Sequence, residues 1–137
     1  MLAKIYSFGL QGIDGYSVSV EIDINNGLPG TEIVGLPNTA TKESKERVRS
    51  ALKNSGFRLT PKRITVNLAP ADTKKEGSYY DLPIALGMLY ATEQLASDKL
   101  FDTIFVGELS LNGELNRLNG ILPMLIAAKE AGWKRIV

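Results

Sequence analysis

Histidine and cysteine are both absent from the 137 residues, so imidazole bases, thiol nucleophiles, thiolate–zinc sites and disulfides are excluded together. What remains for chemistry is oxygen and ammonium. Asp72, Glu76 and Asp81 fall near one loop, where their carboxylates could hold a hard cation. Asp81 equally fits a helix cap, and the other two fit loop solubility. The second charge feature is the segment 42–63, with eight basic residues (Lys42, Lys45, Arg47, Arg49, Lys53, Arg58, Lys62, Arg63) against Glu43 and Glu46. At about 100° per residue, Lys42, Lys45, Arg49 and Lys53 form a stripe roughly opposite Val48, Ala51 and Leu52, and such a stripe could follow a phosphate backbone in DNA. It also describes the outer face of any amphipathic helix, with Glu43–Arg47 and Lys42–Glu46 as ordinary i,i+4 pairs. No aromatic residue interleaves with the cations, which argues against a single-strand stacking platform.

A phosphate-binding loop is missing, because no G-x-x-x-x-G-K-[ST] run occurs. Gly27-x-x-Gly30 and Gly107–Gly113 read as turns, so no cofactor or metal site is assigned to these residues.

The elements that must position these side chains follow from hydrophobic periodicity. Alternation predicts strands near 2–9 and 15–24, joined by a Gly12–Gly15 turn, and after the Asn25–Gly30 turn cluster a third strand over Thr31–Leu36. A helix follows over Lys42–Ser55, with Thr39 or Thr41 available as its cap and Gly56 at its end. Alternation over Lys62–Leu68 then completes a β-α-β unit. Residues 69–79 read as a polar loop, and Asp81 to about Leu95 as a second, largely buried helix with Pro83 in its first turn. Thr103–Val106 is a short strand, Leu109–Leu115 a hairpin around Asn112-Gly113, and Leu122–Ala131 a third helix closed by Gly132. Lys134–Val137 begins a strand whose further partners are not accounted for, so the domain is expected to be truncated at its C-terminal end. Tyr79, Tyr80 and Trp133 are assigned to packing.

One α+β domain over 1–137 is the resulting expectation, with 44% hydrophobic and 23% charged residues enough to bury a core. The formal net charge of +1 gives no global attraction to nucleic acid or anionic membranes. No stretch approaches the roughly 20 apolar residues of a membrane span, and the N-terminus lacks a signal-peptide pattern, so a cytoplasmic location is expected.

Gly107-Glu108-Leu109-Ser110-Leu111-Asn112-Gly113-Glu114-Leu115, then Leu118-Asn119-Gly120-Ile121 and Ala127-Ala128-Lys129-Glu130-Ala131-Gly132, resemble the C-terminal half of the Lon protease domain. Thr41–Phe57, Asn67–Asp72, Lys74–Tyr80 and Asp81–Leu86 are closer still to the ComM/YifB group of magnesium-chelatase-like AAA+ ATPases. Together these segments cover nearly the whole chain, which is identified as the N-terminal Lon-protease-like domain of that family. The resemblance implies a ribosomal-protein-S5-domain-2-like fold, a mixed sheet with helices mainly on one face. It also implies an AAA+ motor downstream, using ATP and Mg²⁺, assembled into a hexameric ring and acting on DNA in natural transformation, recombination and branch migration.

A Lon protease needs a serine hydroxyl within reach of a lysine amine. Aligned without a gap, Tyr79 takes the serine position and Leu122 the lysine position. An aliphatic side chain accepts no proton, and a phenol with an unperturbed pKa of about 10 is a poor nucleophile at neutral pH. Ser78 lies one position away, but no lysine reaches the second position, and Lys129 falls more than a turn farther along its helix. The resemblance therefore implies a non-catalytic accessory domain for ring assembly or for contact with DNA or partners. The alternatives are a residual Lon-like peptidase and a regulatory module of a chelatase subunit.

Overall fold

The computed structural model describes residues 2–59, 61–70, 75 and 78–137. Strands β1 (Leu2–Gln11) and β2 (Asp14–Asn25) form an antiparallel hairpin whose two-residue turn places Gly12 at φ 66°. β3 (Gly30–Val34) leads through helix α1 (Asn38–Asn54) to β4 (Arg63–Ala69), and β3 and β4 are parallel, as the β-α-β reading requires. β4 also pairs antiparallel with β2, so the sheet is mixed, in the order β1-β2-β4-β3. At the β1 edge Ile104 bridges in parallel to both Tyr6 and Ile136, so the segments expected as strands at 103–106 and 134–137 extend the sheet there as single bridges.

Alternation decides which residues enter the core. Ala3 and Ile5 of β1, Val18, Val20, Ile22 and Ile24 of β2, Ile33 of β3, and Ile64, Val66 and Leu68 of β4 are all buried. They pack with Val48, Ala51 and Leu52 of α1 and with Ile84, Ala85 and Leu89 of helix α2 (Asp81–Ala91). The alternate positions Tyr6, Phe8 and Leu10 join a second cluster with Met124 and Ala128 of helix α3 (Ile121–Glu130), Ile104, Val106 and Trp133. The Tyr6 and Trp133 rings are 5.2 Å apart, which places Trp133 in packing as expected. Between α2 and α3 runs the hairpin of β5 (Glu108–Leu109) and β6 (Leu115–Asn116), turning at Gly113 with φ 94°.

The three α-helices among the described residues end in the same way. The residue after the C-cap turns left-handed, its amide bonds the carbonyl three residues back, and the next amide bonds the carbonyl five back. Gly56 and Gly132 serve at α1 and α3, with Phe57→Leu52 and Trp133→Ala128 bonds of 3.0 Å each. At α2 the left-handed residue is Glu93, at φ 62°, with Gln94→Leu89 at 2.9 Å. The Thr92 hydroxyl also donates to the Met88 carbonyl at 2.7 Å. The helix therefore stops at Ala91, short of the expected Leu95, because a terminator without glycine leaves no sequence signal. At the N-terminal side, α1 starts at Asn38, before the expected Lys42. The Pro37 carbonyl accepts the Thr41 amide at 2.9 Å, and neither Thr39 nor Thr41 supplies a side-chain cap.

A non-glycine residue in the left-handed region carries a steric cost that glycine avoids. Glu93→Gly is expected to stabilise the domain by roughly 0.5–1 kcal/mol, read as a higher urea midpoint with unchanged slope. A neutral or lower midpoint would show that the turn is not strained.

Candidate functional site

Asp81 begins α2, yet its carboxylate does not cap that helix. The side chain is wholly buried and turned toward α1, which presents Ser44 and Arg47 on the same side as Val48 and Ala51. Oδ1 accepts from the Ser44 hydroxyl at 2.7 Å and from Arg47 Nη2 at 3.2 Å, and Oδ2 from Arg47 Nε at 2.6 Å and the Leu109 amide at 3.1 Å. The expected cap is thus replaced by a cross-link between α1, α2 and the β5–β6 hairpin. With both oxygens occupied, Asp81 also drops out of the Asp72–Glu76–Asp81 cation set. Asp72 and Glu76 lie outside the described residues, among which no group of three or more acidic, histidine or cysteine side chains could hold a metal.

Burial pushes the Asp81 carboxyl above its ordinary range, while Arg47, Ser44 and the Leu109 amide pull it back. Its hydrogen bond to Asp81 in turn raises the Arg47 guanidinium. The surface pair of Arg47 with Glu43 that the sequence predicts exists at 3.8 Å, but the shorter bond runs inward to Asp81.

The Lon resemblance leads to the expectation that Tyr79 and Leu122 stand at the positions of its reactive pair. Tyr79 sits in a 3₁₀ turn over Ser78–Tyr80 that leads into α2, and its hydroxyl donates to the Asn119 carbonyl at 3.0 Å. Its own carbonyl accepts the Gly107 amide at 3.0 Å, and the Gly107 carbonyl accepts the Leu82 amide at 3.0 Å, so the turn is stitched to the strand entering β5. Tyr80 is fully buried in the core. Leu122, in the first turn of α3, is 63% exposed and aliphatic. Lys129 is exposed near the far end of the same helix. Sequence reasoning misses Lys75, which is buried and donates to the Pro70 carbonyl; the polar run around it carries no sign of burial.

The basic stripe is partly gathered. Lys42, Lys45 and Arg49 line a cavity of about 630 Å³, which Arg58 and Lys62 also line, whereas Lys53 is exposed outside it. Of the two i,i+4 pairs expected on α1, Glu43–Arg47 forms and Lys42–Glu46 does not. Neither glycine pair forms a phosphate cradle. Gly30 opens β3, with its amide on the Lys62 carbonyl, and Gly113 turns the hairpin.

With this geometry in view, the relatives are informative. The family model for subunit ChlI of magnesium chelatase matches residues 20–137. The chain belongs to this family, in its ComM/YifB branch. It is 46% identical over 136 residues to competence protein ComM of Haemophilus influenzae, and equally to YifB of Escherichia coli. Each match covers 99% of this chain and 27% of the relative, so the chain spans about a quarter of their length. Lon protease 2 of Bacillus subtilis is 28% identical over 96 residues, 70% of this chain and 17% of that protein. That likeness agrees with the α+β mixed-sheet fold. No helix among the described residues is long and apolar enough to cross a membrane.

Removing Arg47 leaves a buried carboxylate without its main counter-charge. Arg47→Leu is expected to cost about 3–5 kcal/mol at neutral pH. In that variant the folded state binds a proton at Asp81 more tightly than the unfolded chain does. Its deficit relative to the parent should therefore narrow as pH falls from about 7 toward 5. Urea melts of both proteins across that range check this, and a deficit that widens on acidification would contradict it.

Proposed function

We propose that this chain is a non-catalytic accessory domain of a magnesium-chelatase-like AAA+ ATPase that works in DNA processing, and that it serves as a docking and ring-organising piece. The observation that carries the reading is the use made of the two former reaction positions. The phenol of Tyr79 is engaged on a backbone carbonyl, and Leu122 offers no proton acceptor. Family membership supports the ATPase of the whole protein, whose motor would bind ATP and Mg²⁺ outside these residues and assemble as a homo-oligomeric, hexameric ring. The competence name of the Haemophilus relative supports a role in DNA uptake and recombination. A cytoplasmic location follows from that role.

The purified chain is expected not to degrade an unfolded casein-like substrate. Turnover that disappears on Ser78→Ala, or on replacing the buried Lys75 by Met, would overturn the non-catalytic reading. For the longer protein, size exclusion with and without ATP is expected to show nucleotide-dependent assembly that weakens when residues 1–137 are deleted.

A further inference from the structure

The cavity of about 630 Å³ lies where the start of β3, the outer face of α1, the segment after Gly56 and the end of α2 meet. Its floor is aliphatic, made of Ile33, Val48, Leu52, Ile64 and Leu89. Around it stand five cations, Lys42, Lys45, Arg49, Arg58 and Lys62, against one carboxylate, Glu46. None of the five forms an ion pair among the described residues, although the chain has nearly as many acids as bases. Arg47, by contrast, points to the other side of α1 and is fully engaged with Asp81. Like charges gathered beside apolar surface repel one another and lower the stability of the empty domain. An anionic occupant would relieve the repulsion, and the exposed lining residues Leu59 and Pro61 offer it apolar contact above the buried floor.

We propose that this cavity docks an acidic peptide segment carrying apolar side chains, contributed by a partner protein or subunit. Its carboxylates pair with the Lys42–Lys45–Arg49 and Arg58–Lys62 rims, and its apolar side chains pack on Leu59 and Pro61 above the floor. Peptide is favoured over nucleic acid by the lining. No aromatic ring lines the cavity for a base to stack on, and cations set around a depression do not follow the continuous line of a phosphate backbone. The proposal builds on the docking role above, but its failure would leave Tyr79 and Leu122 as inert as before.

The test uses the 137-residue chain and fluorescence anisotropy with a labelled peptide of about twelve residues in which leucines are spaced among aspartates and glutamates. Saturable binding is expected, weakened about tenfold or more by Lys45→Glu with Arg49→Glu. It should be weakened about fivefold by Leu59→Ser, a change at a partly exposed lining residue that the fold tolerates. Lys53→Glu, on the same helix but outside the cavity, should leave it unchanged. A peptide of glutamates without leucines should bind weakly and lose no affinity on Leu59→Ser. No saturable binding by a protein whose melt is normal would overturn the proposal, as would binding indifferent to Lys45→Glu with Arg49→Glu. A labelled oligothymidine that binds more tightly than the acidic peptide, with the same residue dependence, would overturn it in favour of nucleic acid.

Discussion

One buried carboxylate holds the helical layer together. Asp81 accepts four hydrogen bonds from three residues, Ser44 and Arg47 of α1 and Leu109 of β5, two of them from a single guanidinium. Burying a charge costs several kcal/mol unless it is paired and its lone pairs are filled, and here both conditions are met. The same site would be a poor exchange for a well-packed apolar cluster if stability were its only product. What the ion pair adds is direction: only one rotation of α1 points Ser44 and Arg47 at Asp81, and that rotation also buries Val48, Ala51 and Leu52. The opposite face is then committed to solvent.

That constraint spreads to the turn that leads into α2. Leu109, which donates to Asp81, lies two residues after Gly107, and Gly107 bridges Tyr79 and Leu82 through backbone bonds. The turn before α2, the start of α2 and the hairpin are thus one hydrogen-bonded unit. A nucleophile needs a hydroxyl free to lose its proton and a base to take it. In this unit the Tyr79 hydroxyl instead ties the turn to Asn119, just before the α3 cap at Gly120.

Much of this is legible in the sequence, for identifiable reasons. Period-two alternation locates β1, β2 and β4, and the parallel pairing of β3 with β4 follows from the helix between them. Gly56, Gly113 and Gly132 announce two helix ends and a hairpin because a left-handed backbone selects glycine. Where Glu93 does the same work at α2, no such signal exists, and the apolar pattern runs on past the true helix end. Asp81 misleads for a related reason: an acid at the start of a helix is locally satisfied as a cap, and only the fold brings Ser44 and Arg47, more than thirty residues away, within reach. Ser44 on the apolar face of α1 is the one available hint, since a hydroxyl in line with Val48 and Ala51 needs a buried partner. Lys75 and the gathering of Arg58 and Lys62 with the α1 cations depend on loop paths that no periodicity encodes.

The two faces of α1 therefore divide its charges by a single physical criterion, whether a carboxylate lies within reach. On the inner side Arg47 has Asp81 and Glu43. On the outer side the lining cations have only Glu46, which accepts weakly from Ser50 at 3.4 Å. An ordinary solvated helix face intersperses both signs, since alternating charge lowers self-repulsion at no cost in solubility. Among the described acids, Asp23 and Glu32 lie on strands, Asp98 in a 3₁₀ turn and Asp102 and Glu114 in loops, and none of them is paired with a lining cation. Pairing among the described residues therefore does not neutralise these cations, and the exposed Leu59 beside them gains nothing from facing water. The two faces of one helix thus differ in kind: the inner cation is spent on holding the fold, and the lining cations are not.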